Sequence, residues 1–161
     1  MTNSTKKTTT KEKAKLPPNP FIHEILDLAS KQRSKVKKVE ILQEYGNPAL
    51  KSLLIWNFDD TVVSVVPPGE VPYKANEVPV GTDHTSLRKE YKHLFNFVKG
   101  GNDSLTSLRR ETMFIQMLEG LHPEEASILC LVKDKALQTK YKLTYEVIKE
   151  AYPDINWGGR S

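Results

Sequence analysis

Two Asn-Pro pairs, at residues 19–20 and 47–48, mark helix starts near the beginning of the chain. Asn is a preferred N-cap, and Pro fits the first helical position because its missing N–H would be unpaired there. Ser34 is a third capping residue, and apolar side chains recur at helical spacing after each of the three caps. The turns between these helices have only two or three residues, so neighbours must pack against each other. The pattern predicts a compact helical unit over residues 20–58.

Start and stop signals predict four more helices in the second half of the chain. A stretch of seven residues, 112–118, is apolar on nearly every side and is therefore predicted to be the central, buried helix. Asp103 or Ser104 is expected to cap that helix, and Thr144 to cap the last one. The predicted helices are 85–99, 105–119, 123–132 and 145–152, with Tyr145, Ile148 and Tyr152 of the last helix facing inward.

The segment from 59 to 83 interrupts this helical pattern. It contains four prolines and two glycines, a density that a regular helix cannot accommodate. We expect it to lie across the helices as an irregular arm, held by Val71, Tyr73 and Val78.

The two ends of the chain are predicted to lie outside the helical body. Residues 1–18 are rich in Thr, Lys and Ser and show no apolar periodicity, so they are predicted to be a disordered basic tail. Residues 157–161 form a short Gly-containing tail. The fold class predicted is all-α, with one domain over residues 19–156 built as a bundle of six or seven helices.

The net charge of +4 resides in the N-terminal tail. Residues 1–19 contain five lysines and one glutamate, whereas residues 20–161 contain 19 basic and 19 acidic side chains. Attraction of the body to an acidic partner must therefore come from local clusters of charge.

The sequence contains no motif that indicates catalysis, a cofactor or a small-molecule substrate. No two of the four histidines have the i, i+4 spacing of a helical zinc site, and no Gly-rich phosphate loop is present. Cys130 is the single cysteine, which excludes an internal disulfide. No apolar run is long enough to span a membrane, and the N-terminus lacks the apolar core of a secretory signal. We therefore expect a non-enzymatic protein that needs no cofactor or metal, makes no membrane contact and stays in the compartment where it is made.

Two clusters of basic residues are the candidate binding sites. One lies at the turn between the first two helices and the other lies before the last helix, and lysines next to a helix start can hold phosphate groups. The alternative is that each cluster is ordinary solvated surface. The candidate nucleic-acid-binding residues are Lys31, Arg33, Lys35, Lys37 and Lys38 in the first cluster, and Lys133, Lys135, Lys140 and Lys142 in the second.

Two aromatic residues are candidate partner-binding residues. Trp157 follows the last helix in a Gly-rich tail, which suggests docking on this protein or on another. Tyr73 lies in the Pro-rich arm, which could become ordered against a neighbouring subunit.

The chain resembles an uncharacterised protein family of T4-like phages that infect marine cyanobacteria. Three strings carry this resemblance: GTDHTSLR at 81–88, RRETMFIQMLEGLHPEEA at 109–126 and LVKDK at 131–135. The resemblance implies a phage origin and a location in the host bacterial cytoplasm, and it implies no activity.

Two pieces of the chain are also similar to the N-terminal helical DNA-binding domain of T4-type ATP-dependent DNA ligases. The first piece runs from ILDLA at 25–29 to LKSLL at 50–54, and the second runs from ILCLVKD at 128–134 to AYPDI at 151–155. In those ligases the helical domain grips the duplex backbone beside a nick. The Lys-x-Asp-Gly adenylation motif of the ligases is absent from this chain, so the resemblance implies a gripping module without catalysis.

These observations leave two main hypotheses. The first is a phage accessory protein that binds the backbone of duplex DNA through its lysine clusters. The second is a virion or assembly component that acts through contacts with other phage proteins. An inhibitor or adaptor of a host enzyme is a third alternative.

Overall fold

The structure, a computed structural model, describes residues 16–76 and 84–158, and within these ranges the protein is all-helical. Two short 3-10 helices, Tyr91–Phe97 and Leu137–Thr139, accompany the α-helices. The described ranges contain two isolated β-bridges and no β-strand, so the predicted all-α class is confirmed. The seven α-helices are α1 (Ile22–Lys31), α2 (Lys35–Glu44), α3 (Pro48–Phe58), α4 (Leu87–Glu90), α5 (Ser107–Gly120), α6 (Pro123–Lys133) and α7 (Tyr145–Ala151).

Helices α3 and α6 form the centre of the bundle. α3 contacts α4, the first 3-10 helix and α6, while α6 also contacts α1 and α5. α2 packs between α1 and α7 at the periphery. The larger apolar side chains that these two central helices bury completely are Leu50, Leu53 and Leu54 from α3, and Ile128, Leu129 and Val132 from α6.

Three predicted caps are confirmed. The side chains of Ser34, Asn47 and Thr144 accept hydrogen bonds from the backbone N–H of Lys37, Leu50 and Val147, respectively. Each cap satisfies a donor that would otherwise be unpaired in the first turn of its helix. These local bonds fix the starts of α2, α3 and α7.

The first helix begins later than predicted. Asn19 is not its cap: it adopts a left-handed backbone conformation with φ of +53°. Two carboxylates determine the start instead, because Glu24 accepts from the Phe21 N–H at 2.8 Å and Glu125 accepts from the Ile22 N–H at 2.9 Å. The Glu125 contact spans more than 100 residues, which a local pattern could not reveal.

The predicted helix 85–99 is wrong in its geometry. Only Leu87–Glu90 is α-helical, and Tyr91–Phe97 continues as a 3-10 helix. Side chains three residues apart share a face of a 3-10 helix, so Leu94 and Phe97 are both buried. Phe95, which α-helical spacing would place on the same face as Leu87 and Leu94, is instead 49% exposed.

The predicted central position of residues 112–118 is also wrong. α5 is capped by Thr106, whose hydroxyl accepts from the Arg109 N–H at 3.1 Å, and not by Asp103 or Ser104. The residues that α5 buries lie at i, i+4 and i+8 on a single stripe, namely Arg110, Phe114 and Leu118. Ile115 is only half-buried, and Leu108 is exposed. α5 therefore covers the core from one side.

The described part of the Pro-rich arm, residues 59–76, lies across the helices as predicted. Val66 is buried, and Val71 and Tyr73 are half-buried against the core. Two backbone hydrogen bonds flank the Ser64–Val98 bridge. The Val65 N–H donates to the Phe97 carbonyl at 2.9 Å, and the Lys99 N–H donates to the Val63 carbonyl at 2.8 Å. Val78, the third predicted contact, lies outside the described residues.

Most of the predicted N-terminal tail, residues 1–15, also lies outside the described residues. Leu16 belongs to the structured body, contrary to the predicted boundary at 18. Its N–H donates to the Tyr45 hydroxyl at 2.9 Å, and its side chain packs against the core.

Candidate nucleic-acid interface

The turn between α1 and α2 places the first lysine cluster on the outside of the bundle. α1 ends at Lys31, and Ser34 starts α2 two residues after the extended C-cap Gln32. Arg33, Lys35 and Lys37 are exposed because this turn connects two peripheral helices.

The fold adds Lys142 to this cluster. The Lys142 N–H donates to the Ser30 hydroxyl at 2.8 Å, and the Lys38 ammonium donates to the Lys142 carbonyl at 2.7 Å and to the Ser30 carbonyl at 3.2 Å. Two cations from distant parts of the sequence are thereby held side by side. Burial, and after it the positive charge of Lys142, lower the pKa of Lys38. We define the basic surface as Lys31, Arg33, Lys35, Lys37, Lys38 and Lys142.

Two members of the basic surface form ion pairs. Lys31 pairs with Asp27 at 2.9 Å, and Lys35 pairs with Glu150 at 3.1 Å. All four side chains are at least half exposed, and exposed ion pairs contribute about 0–1 kcal/mol. Such weak pairs can exchange a carboxylate for a phosphate, so the side chains of Lys31 and Lys35 remain usable for binding an anion.

Lys133, a predicted DNA contact, points into the protein. Its side chain is fully buried, and its ammonium donates to the carbonyls of Pro67 and Gly69 at 2.9 and 3.0 Å and to Asp134 at 2.6 Å. Asp134 in turn accepts from the Gly69 N–H at 3.2 Å. Lys133 therefore holds the Pro-rich arm and cannot reach an external phosphate.

Lys135 is also used inside the protein. Its ammonium donates to the carbonyls of Trp56 and Asp59 at 2.5 and 2.9 Å, at the C-terminal end of α3. Burial lowers its pKa, against the opposing charges of Asp60 and Asp59. The Trp56 carbonyl lies in the last turn of α3, where the helix offers it no partner, and the cation supplies a donor.

Lys140 lies at the edge of the basic surface. It pairs with Glu124 at 3.3 Å, and both side chains are exposed. It also shares a cleft with Lys31. Of the second predicted cluster, Lys142 joins the first cluster, Lys140 borders it, and Lys133 and Lys135 do not contribute.

The two aromatic candidates for partner binding contact their own chain. The indole N–H of Trp157 donates to the Tyr152 carbonyl at 3.2 Å, and its ring lies edge-on to Tyr145 with centroids 5.7 Å apart. Trp157 thus docks on this protein, the first of its two predicted alternatives.

Tyr145 was predicted to face inward, but it is 36% exposed and stacks on Phe58 at the surface. Tyr73 is half-buried beside Cys130, and burial raises the pKa of both groups.

Sequence reasoning missed a group of histidines. His23, His84 and His122 come together in the fold, although their positions in the sequence are far apart. A possible signal was their position near helix starts, since each of the three lies within three residues of the first residue of an α-helix.

Among the described residues, no group of three or more His, Cys, Asp and Glu side chains is arranged to hold a metal ion. None of the helices within the described ranges is long and apolar enough to cross a membrane.

The described residues define an all-helical protein with a composite basic surface on its periphery. The chain belongs to a family of unknown function, DUF6433, whose model matches residues 25–139. No curated protein and no solved structure matches the chain. The prediction that the chain belongs to an uncharacterised family is confirmed.

Proposed function

We propose that this protein is a non-enzymatic accessory protein of a T4-like cyanobacterial phage that binds the backbone of duplex DNA through its basic surface. It would act in the host bacterial cytoplasm. The observation that carries this proposal is the juxtaposition of Lys38 and Lys142, two cations held together by the fold. A phosphate placed between them relieves their repulsion, which is a favourable term that a merely solvated surface would not provide.

The two pieces that resemble a ligase DNA-binding domain support the proposal. The first piece contributes α1, α2 and α3, and the second contributes parts of α6 and α7. These elements contact each other directly, since α2 packs on α7 and α3 packs on α6. Their packing forms one unit, and the basic surface lies on that unit.

The expected binding has no sequence preference and depends strongly on salt. Phosphate contacts position a protein on DNA without reading its bases. With about five phosphate contacts, the log–log salt slope on duplex DNA should be roughly −4 to −5.

Fluorescence anisotropy on labelled nicked and intact duplexes, over a series of salt concentrations, tests this proposal. The informative variant combines Arg33→Gln, Lys37→Gln and Lys142→Gln, and it leaves Lys38 in place because the Lys38 ammonium holds the turn. Each lost contact should make the slope shallower by about 0.9, so the variant slope should be roughly −2.

A matched control separates the basic surface from net charge. Lys74, Lys89 and Lys99 are exposed outside the basic surface, so Lys74→Gln, Lys89→Gln and Lys99→Gln remove the same charge. The control should keep the parent slope. Equal losses in both variants, or no binding by the parent protein at low salt, would refute the proposal.

A second candidate function is assembly with other phage proteins, including packaging in the virion. An apolar cleft of about 390 Å³ favours this function. Phe95 is 49% exposed at the cleft, which is also lined by Tyr91, Leu94 and Val98. Mass spectrometry of purified virions tests it: abundant protein in the particles would favour assembly, and absence from them would count against packaging.

A further inference from the structure

Three of the four histidines meet at one junction, which we call the histidine junction. His23 lies in the first turn of α1, His84 lies three residues before α4, and His122 is the N-cap of α6. The ring centroids of His23 and His122 are 4.9 Å apart, and those of His84 and His122 are 5.4 Å apart. The Phe21 ring covers both His23 and His122, with centroid distances of 5.4 and 4.9 Å.

The histidine junction surrounds the point where three helices begin. Glu125, in the first turn of α6, is fully buried and accepts from the N–H groups of Ile22 and Leu87, each at 2.9 Å. These are the first residues of α1 and α4. Helix N-termini carry partial positive charge, so one carboxylate serves three positive helix ends, and a histidinium at this point would add charge of the same sign.

One hydrogen bond requires a neutral ring at His122, and another fixes the tautomer of the neutral ring at His84. The Nδ1 atom of His122 accepts from the Glu124 N–H at 3.0 Å, so it carries no proton. The Nε2–H of His84 donates to the Asn76 carbonyl at 3.1 Å, which leaves its Nδ1 unprotonated in the neutral ring.

A cationic ring must carry a proton on Nδ1, and the described residues of the junction provide no acceptor for that proton. The Nδ1 atoms of His23 and His84 are buried and have no hydrogen-bond partner within residues 16–76 and 84–158. The Nδ1 atom of His122 faces an N–H donor. Protonation of the His23 ring therefore creates a buried donor with no partner among the described residues, and protonation of the His122 ring breaks the cap of α6.

The charged groups around the junction are already engaged. Glu24 accepts from the Phe21 N–H, Glu124 pairs with Lys140, and Glu90 accepts from the Thr85 hydroxyl. The Arg88 guanidinium donates to the Pro20 carbonyl. The charges of Glu24 and Glu124 favour protonation of His23 and His122, but burial outweighs them and lowers the pKa of both rings.

We infer that the histidine junction is a pH-sensitive clasp, which holds the starts of α1, α4 and α6 together while the rings of His23 and His122 are neutral and releases them when these two rings are protonated. This inference is independent of the proposed function. A histidine whose pKa is lowered by folding contributes stability that is complete above its ordinary pKa of 6.5. That stability is lost as the pH falls below 6.5, so the release is expected in mildly acidic solution.

Hydrogen exchange followed by NMR at pH 7.5 and pH 5.5 tests the inference. The reporters are the N–H groups of Ile22, Leu87 and Glu124, which bond at the junction. After correction for intrinsic exchange, their protection should fall several-fold at the lower pH, because the folded rings take up protons less readily than the unfolded ones. The protection of Leu53 in the centre of α3 should change much less.

Variants assign the response to the three rings. The combination His23→Gln, His84→Gln and His122→Asn removes the titrating groups and keeps an oxygen to cap α6, so the protection of the reporters should become nearly independent of pH. His93→Gln is the matched control, because His93 is exposed and lies outside the junction. The control should respond to pH as the parent does.

Three results would overturn the inference. The first is protection that does not depend on pH in the parent protein. The second is a response that persists in the triple variant, because it would then arise from the buried Glu125. The third is ring resonances of His23 and His122 that titrate at or above 6.5 in the parent protein, a measurement that stands even if the triple variant does not fold.

Discussion

The lysines of the α1–α2 turn and the two lysines at the C-terminal end of α6, Lys133 and Lys135, lie in different surroundings. The α1–α2 turn connects two peripheral helices, and Arg33, Lys35 and Lys37 are exposed in the part of the chain that the structure describes. The segment after α6 lies under the Pro-rich arm and against the end of α3. Lys133 and Lys135 are consequently drawn inward.

The difference lies in what the backbone nearby offers. Proline has no N–H, and the last carbonyls of a helix have no partner within the helix. The Pro-rich arm and the C-terminal end of α3 therefore both present more hydrogen-bond acceptors than donors. An ammonium supplies three donors at once. A lysine that folds beside such segments is used for stability, and a lysine that folds at an open turn stays available to a partner.

Among the lysine variants, Lys133→Met should have the largest effect on stability. The change keeps the length of the side chain but leaves the carbonyls of Pro67 and Gly69 without their donor. Bonds to a charged group contribute more than neutral ones, so the free energy of unfolding should fall by about 2–4 kcal/mol. Urea denaturation followed by circular dichroism measures it. Lys37→Met is the control and should stay within about 0.5 kcal/mol of the parent protein.

A Lys133→Met protein as stable as the Lys37→Met protein would contradict the structural role of Lys133. The amide of Gly69, bonded to Asp134, gives a second readout. Its hydrogen exchange should accelerate in the Lys133→Met protein, because the arm loses its main anchor.

Lys135→Gln should have a smaller effect in the same direction. Lys135 is only half-buried, and a glutamine amide can still donate to one of the two carbonyls at the end of α3. We expect a loss of about 1–2 kcal/mol in the free energy of unfolding, measured by the same urea titration. A change below the error of the titration would show that the end of α3 does not need this cation.

The combination Arg33→Gln, Lys37→Gln and Lys142→Gln should have the smallest effect on stability. Glutamine and lysine have nearly equal helix propensities, and all three side chains are exposed, so the free energy of unfolding should stay within about 0.5 kcal/mol of the parent. Thermal denaturation checks this. A large loss of stability would mean that these residues are structural, like Lys133.

Local signals predicted the helices that are fixed by local bonds. Ser34, Asn47 and Thr144 cap helices within their own sequence neighbourhood, so the starts of α2, α3 and α7 could be read from the sequence. The start of α1 could not, because one of the two carboxylates that set it belongs to the distant Glu125. The 3-10 geometry of Tyr91–Phe97 was missed for a related reason: its apolar residues fit the α-helical spacing as well, and tertiary packing decided between the two.

The candidate binding surface was only half predictable. A run of lysines at a turn between two peripheral helices gave the first cluster correctly as exposed. The sequence could not show that Lys142 joins that cluster, because the contact with Ser30 depends on how α7 packs against α2. Nor could it show that Lys133 and Lys135 face inward, since their partners lie 64 to 79 residues away.

Chemical-shift mapping of the isotopically labelled protein with a short duplex at low salt tests the division between the two lysine clusters most directly. The account predicts shift changes at residues 31–38 and at Lys142 that disappear as salt is added, with the amides of Lys133 and Lys135 unaffected. Changes centred on Lys133 and Lys135, or changes around Phe95 and none at the basic surface, would contradict it.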